Sequence, residues 1–174
     1  MTSSRDEYYI KNWEDENLNL KKNLLRGIYS FGFENPSEIQ KKAIYPFIKK
    51  HGNKRKDIVA QAQSGTGKTG AFVVSSLQII NEKIKKTQVM ILAPTHELAQ
   101  QIDDVLIGLG NYLNIKTQLK TNFKFAKICP ENTYARKNIG YLQAIKKKSE
   151  IIVETDDDNF PKKNFFEEKK LIHN

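Results

Sequence analysis

Leu18, Leu20, Leu24, Leu25, Ile28 and Tyr29 recur at near-helical spacing and Gly32 follows them, which predicts a helix over residues 18–33 closed by a turn. A second helix is predicted to start at Pro36-Ser37, with Pro46 kinking or closing it. The polar stretch 51–56 then reads as a loop. The apolar pulse Asp57-Ile58-Val59-Ala60 reads as a strand, and Gly70-Ala71-Phe72-Val73-Val74 is helix-compatible. Gln88-Val89-Met90-Ile91-Leu92-Ala93 reads as an apolar run suited to a strand buried on both faces. Residues 95–113 return to helical spacing, and 115–119 read as a third strand. Strands alternating with helices predict an α/β fold, a partial parallel sheet with flanking helices.

Near residue 121 the character of the chain changes. Residues 134–148 read as an amphipathic helix and 150–154 as a short strand. An acidic turn, Thr155-Asp156-Asp157-Asp158-Asn159, follows at the carboxyl end of that strand. Residues 161–174 are rich in Lys, Glu and Phe. The expected division is therefore 1–120, with 1–12 flexible, and 121–174 as a C-terminal βαβ-like fragment of different origin.

With 174 residues and 39% hydrophobic composition, the chain can build one domain with a core but not two full nucleotide-handling domains. A net charge of +9 favours polyanionic partners, nucleic acid first among them. The single Cys129 excludes an intramolecular disulfide. No apolar run approaches the ~18 residues of a membrane span. The N-terminus, Met1-Thr2-Ser3-Ser4-Arg5-Asp6-Glu7, lacks the apolar core of a signal peptide. The chain is thus expected to be intracellular, soluble and cytoplasmic, with no membrane partner.

The chemistry is concentrated in Ala62-Gln63-Ser64-Gly65-Thr66-Gly67-Lys68-Thr69, set between the strand-like pulse and the helix-like run. That order is what a phosphate-binding loop requires. Gly65 and Gly67 let backbone N–H groups turn towards phosphate oxygens, and the helix that follows aims its positive end at the same anion. Lys68 would reach the β and γ phosphates, and the Thr69 hydroxyl would ligate Mg²⁺. Ala62 stands where the general pattern has its first glycine. The bland alternative, a glycine-rich turn with a chance Gly-Lys-Thr, leaves the strand before and the helix after unexplained.

Three stretches together resemble the first RecA-like domain of the DEAD-box RNA helicase family, most closely its translation-initiation branch. They are residues 24–40, with Gly32-Phe33-Glu34-Asn35-Pro36-Ser37-Glu38-Ile39-Gln40; residues 60–69; and Ala93-Pro94-Thr95-His96-Glu97-Leu98-Ala99-Gln100-Gln101-Ile102. The likeness covers about 13–119, with the three motifs in the family's order. It implies ATP and Mg²⁺ as cofactors, Phe33 stacking on adenine, and Gln40 hydrogen-bonding the adenine edge. Trp13 stands near the position of an upstream aromatic over the base. Pro94, Thr95 and Glu97 match a segment that meets the RNA backbone. His96 replaces the family's arginine there, so RNA binding is expected to be weak.

The chain holds no Asp-Glu-Ala-Asp, no Ser-Ala-Thr and no Thr-Pro-Gly-Arg. Asp156 and Asp157 follow the run Ile151-Ile152-Val153 two residues late for the acid that holds Mg²⁺ in a phosphate-loop ATPase. Over about 125–166 the tail is instead similar to STELLO-type glycosyltransferase-like proteins. That likeness implies Asp156 and Asp158 as hard oxygen ligands for Mn²⁺ or Mg²⁺ with a nucleotide sugar. The expectation is a truncated ATP-binding helicase-type domain without hydrolysis or unwinding motifs. The rivals are a non-catalytic nucleotide-dependent RNA-binding module and a remnant glycosyltransferase.

Overall fold

The computed structural model describes residues 9–51, 54, 55, 57–119 and 151–154. In chain order they form α1 (Lys22–Ser30), α2 (Glu38–Ile48), β1 (Lys50–His51), β2 (Lys54–Arg55), α3 (Lys68–Ile79), β3 (Val89–Leu92), α4 (His96–Leu109) and β4 (Ile151–Glu154). Among the described residues β1 pairs with β2 antiparallel, and β3 pairs with β4 parallel.

Helix α3 is the axis of the domain. Val73, Val74, Ser75, Ser76 and Leu77 are all fully buried, and α1, α2 and α4 pack around them through Leu24, Ile28, Ile44, Ile102 and Leu109. Each such aliphatic side chain contributes about 1.5–3 kcal/mol by leaving water. The α1–α4 contact is backbone to backbone. A Cβ on Gly27 would lie 2.0 Å from the Leu109 carbonyl oxygen, so only glycine fits there.

α1 starts later than its apolar spacing predicts. Asn19 takes a φ of 43°, in the left-handed region, and Lys21 is extended with ψ at 135°, so residues 18–21 cannot join the helix. Lys21 instead caps the far end of α3. Its N–H donates to Gln78 Oε1 at 2.9 Å, and its ammonium donates to Leu77 O at 2.8 Å and to Ile80 O. These carbonyls have no partner within the helix. Burial pushes the Lys21 ammonium below its ordinary value, and Glu82 opposes that shift.

α2 begins where the sequence predicts, with Ser37 as its N-cap, and continues past Pro46 to Ile48. Pro46 sits in the last turn and has no N–H to donate to the Lys42 carbonyl, yet the helix runs on to Ile48. The stretch read as a loop forms the β1–β2 hairpin. Two predicted strands do not form. Residues 57–60 are irregular with Val59 71% exposed, and 115–119 are irregular as well. A strand needs a neighbour to take its backbone hydrogen bonds, and among the described residues β3 is joined by β4 alone. For the same reason β3 is half-buried along its length rather than buried on both faces.

The tail strand does form. Its register sets Val89 opposite Ile151 and Leu92 opposite Glu154, so β4 lies in the same sheet as β3. The expected helix over 134–148 and the acidic turn with Asp156 and Asp158 lie outside the described residues.

Candidate phosphate-binding site

Gly65 and Gly67 have φ values of 78° and 98°, where any other residue is strained, and they turn the chain into the first residue of α3. Gly67 is constrained a second time. A Cβ there would lie 2.7 Å from Gln40 Nε2 and 2.8 Å from Ser37 Oγ. Thr66 braces the loop from within, its hydroxyl donating to Gln63 O at 2.7 Å. Among the described residues nothing accepts from the N–H groups of Ser64, Gly65 and Gly67, and Lys68 and Thr69 form the first turn of α3. Such donors, at the positive end of a helix, form an anion cradle.

Lys68 Nζ donates to Ala62 O at 2.6 Å and to Gln63 O at 3.4 Å. The ammonium is thus held inside the loop by neutral carbonyls. A phosphate oxygen is a stronger acceptor for the ammonium, because it adds Coulomb attraction between opposite charges that a neutral carbonyl lacks. Thr69 is half-buried beside it. Open donors, one cation and one hydroxyl make a set that fits a nucleotide phosphate with Mg²⁺.

Gln40 and Phe33 reach this loop from α2 and the turn before it. Gln40 is 4% exposed, its Oε1 accepting from the Ser37 N–H at 2.8 Å and its Nε2 donating to Gly67 O at 3.1 Å. The sequence predicts an amide aimed at adenine. Here both ends of that amide bond backbone, which makes Gln40 a strut between the start of α2 and the phosphate loop. A Cβ on Gly70 would meet Gln40 Nε2 at 2.6 Å and the Phe33 ring at 2.9 Å, so α3 presents a bare backbone to both. Phe33 lies parallel to Trp13 at 6.4 Å and edge-on to Phe31 at 5.2 Å. Trp13 is 1% exposed, so it supports Phe33 from within the core and offers no open face to a base. Ser37 was the site residue not singled out from sequence. The spacing Ser37-x-x-Gln40 is a capping-box signature that points to it.

The structure brings Phe33, Gln40 and residues 62–69 together. Pro94, Thr95 and Glu97 lie on a separate exposed turn at the start of α4. Thr95 Oγ1 accepts from the Leu98 N–H at 3.2 Å and caps the helix, leaving its hydroxyl hydrogen for an outside acceptor. Among the described residues no three His, Cys, Asp or Glu side chains gather as metal ligands, and no helix is long and apolar enough to cross a membrane.

A glycine loop opening a buried helix, beside a parallel strand pair, defines a phosphate-loop α/β domain of the RecA-like kind. The profile of the DEAD/DEAH box helicase family matches residues 37–170, and the chain belongs to that family. It is 54% identical over 116 residues to an ATP-dependent RNA helicase eIF4A of Yarrowia lipolytica, covering 67% of this chain and 27% of that protein. To the corresponding protein of Chaetomium globosum it is 55% identical over 101 residues, covering 58% and 24%. The chain thus spans about a quarter of the length of these curated relatives.

Among solved structures, a DEAD box protein from Methanococcus jannaschii superposes with a TM-score of 0.52 at 32% identity, covering 84% of this chain and 35% of that one. S. cerevisiae Dbp5 bound to RNA and ADP BeF3 shares the fold, with a TM-score of 0.65 at 24% identity and coverage of 84% and 46%. The profile match crosses 119–125, where the sequence suggests a junction, and takes in β4. A tail of different origin, and its glycosyltransferase resemblance, find no support in it.

Proposed function

We propose that this chain binds ATP with Mg²⁺ at residues 62–69 and contacts RNA weakly through Pro94, Thr95 and Glu97. The observation that carries the first half is the cradle itself, with open N–H groups on Ser64, Gly65 and Gly67 and Lys68 turned inward beside them. Mg²⁺ arriving with the nucleotide would be held by the Thr69 hydroxyl and would offset phosphate charge. Phe33 offers a ring to the base, and Gln40 can read the adenine edge by exchanging its bond to Gly67 O. The family and the names of the curated relatives support the RNA half, as does the exposed cap at Thr95. Residues up to 120 form the nucleotide-binding unit, with β4 extending its sheet.

Calorimetric titration with ATP and GTP tests the assignment. ATP is expected to bind more tightly, and equal affinities would remove Phe33 and Gln40 from the base site. The chain contains no Asp-Glu-Ala-Asp, so binding without RNA-stimulated phosphate release is expected. Turnover that disappears in Lys68→Ala would contradict this.

A further inference from the structure

We propose that the chain associates with a second copy of itself, the outer face of α4 on one copy receiving the turn 82–87 of the other. Both surfaces lie outside residues 62–69, so the association is independent of the nucleotide site. Helix α4 carries Glu97, Asp103 and Asp104 and no Lys or Arg. In a chain with 29 Lys and Arg, none stands between Lys86 and Lys116, so this face is an acidic island on a basic molecule. Ile107 follows Asp104 by three residues and Asp103 by four, which puts all three on one side of the helix. Ile107 is 54% exposed, and Phe31, 40% exposed, lies against the neighbouring Gly108, where a Cβ would collide with the ring. The outcome is an apolar pair rimmed by carboxylates. Among the described residues the one ion pair is Lys41–Glu38, so no described cation pairs with Asp103 or Asp104.

The turn after α3 has the same plan with the opposite sign. Ile84 is 43% exposed and stands among Lys83, Lys85 and Lys86, all of them exposed. Asn81 and Gln88 bond across the base of the turn. Gln88 Nε2 donates to Asn81 O at 2.8 Å, and Gln88 Oε1 accepts from the Asn81 N–H at 2.8 Å. The acid of the turn, Glu82, accepts from the Asn114 N–H at 2.9 Å, which leaves the exposed rim to the three lysines. A single exposed apolar residue needs no explanation, but an apolar centre with a charged rim is how docking surfaces are built. Here one chain carries two of opposite sign. RNA would meet the lysines of the turn and be repelled by the carboxylates of α4, whereas a second copy satisfies both.

The test is sedimentation equilibrium of nuclease-treated protein over a concentration series, using the full chain, Asp103→Lys/Asp104→Lys and Lys85→Glu/Lys86→Glu. The wild-type chain is expected to associate. It does so more weakly as potassium chloride rises from about 0.1 M to about 1 M, where the screening length falls from about 10 Å to about 3 Å. Each double variant sets like charges across the contact and is expected to raise the dissociation constant at least about tenfold. Mixed together, the two variants again oppose unlike charges, and association is expected to return. Ile84→Ser leaves every charge in place and is expected to weaken association as well. Thermal midpoints and MgATP affinity are expected to stay at wild-type values in all three variants, so that lost association is not lost fold.

A wild-type chain that stays monomeric up to about 1 mM overturns the proposal. So does association that both charge variants retain, or that their mixture fails to restore. Association seen only before nuclease treatment assigns it to bridging RNA and overturns the proposal as well.

Discussion

Replacing Gln40 by Ala removes the strut that ties α2 to the phosphate loop, and its cost can be worked from the two ends of the amide. Gly67 O keeps its helical bond from the Ala71 N–H at 3.0 Å, so it loses only a second donor, at about 0.5–1.5 kcal/mol. The Ser37 N–H has only Gln40 Oε1 at 2.8 Å among the described residues and is left without an acceptor, at about 1–3 kcal/mol. The hole left against Gly70 and Phe33 adds to this. The two hydrogen-bond losses alone come to about 1.5–4.5 kcal/mol, a large share of a small domain's stability. Urea unfolding followed by circular dichroism reads it as a lower midpoint at constant slope. Gln40→Glu keeps the acceptor for Ser37 but faces a carboxylate to Gly67 O, and is expected to fall between wild type and Ala. If Gln40→Ala unfolds within about 0.5 kcal/mol of wild type while losing its preference for ATP, Gln40 is a base reader alone and the strut is refuted.

Gly27→Ala drives a methyl into the Leu109 carbonyl, so the gain of about 1 kcal/mol in helix propensity is overwhelmed and the variant is expected to be at least about 2 kcal/mol less stable. A midpoint at or above wild type would mean that α1 and α4 do not touch there. Thr95→Ala removes the cap of α4 and is expected to cost about 1 kcal/mol in the same assay, while lowering RNA affinity. Unchanged RNA affinity would confine Thr95 to capping. Burial would raise the Asp15 pKa, but hydrogen bonds from the Lys11 N–H, the Asn17 N–H and the Asn17 amide lower it below 3.8. The unfolded chain therefore binds the proton more readily. The stability Asp15 contributes is present above the unfolded value and is lost as the pH falls through the folded one, and Asp15→Asn should remove that part of the acid dependence.

The shape of the glycine loop at 62–69 was legible in the sequence because its backbone requirements are local. Left-handed glycines, a cation and a helix start occupy eight consecutive residues. The helices were legible from local signals too: α2 from its start at Pro36-Ser37, α3 from the helix-compatible run after the loop, and α4 from its apolar spacing. Residues 57–60 were misread because an apolar pulse shows only that a strand would be favourable, whereas forming one depends on a neighbour that the pulse does not encode. α1 was overextended because Leu18 and Leu20 fit the helical spacing, yet both come before the left-handed Asn19 or the extended Lys21 that delay the helix. The hairpin was hidden by its polarity, since strands are sought where apolar and polar residues alternate and residues 50–55 have no apolar member. The role of Gln40 needed coordinates. Its type fits an adenine reader and a capping-box residue equally, and only the 3.1 Å bond to Gly67 O shows what it holds in this structure.

The central claim is that residues 62–69 hold the phosphates of a nucleotide. Calorimetric titration of MgATP into the wild-type chain and Lys68→Ala, with urea unfolding of both, tests it most directly. Lys68 makes its two bonds to loop carbonyls and belongs to no core cluster, so stability is expected to change by less than about 1 kcal/mol. Losing a charged hydrogen bond to phosphate costs about 1.5–3 kcal/mol, so affinity is expected to drop at least about tenfold. Equal MgATP affinity in the two proteins, with both folded, would show that the loop does not bind phosphate.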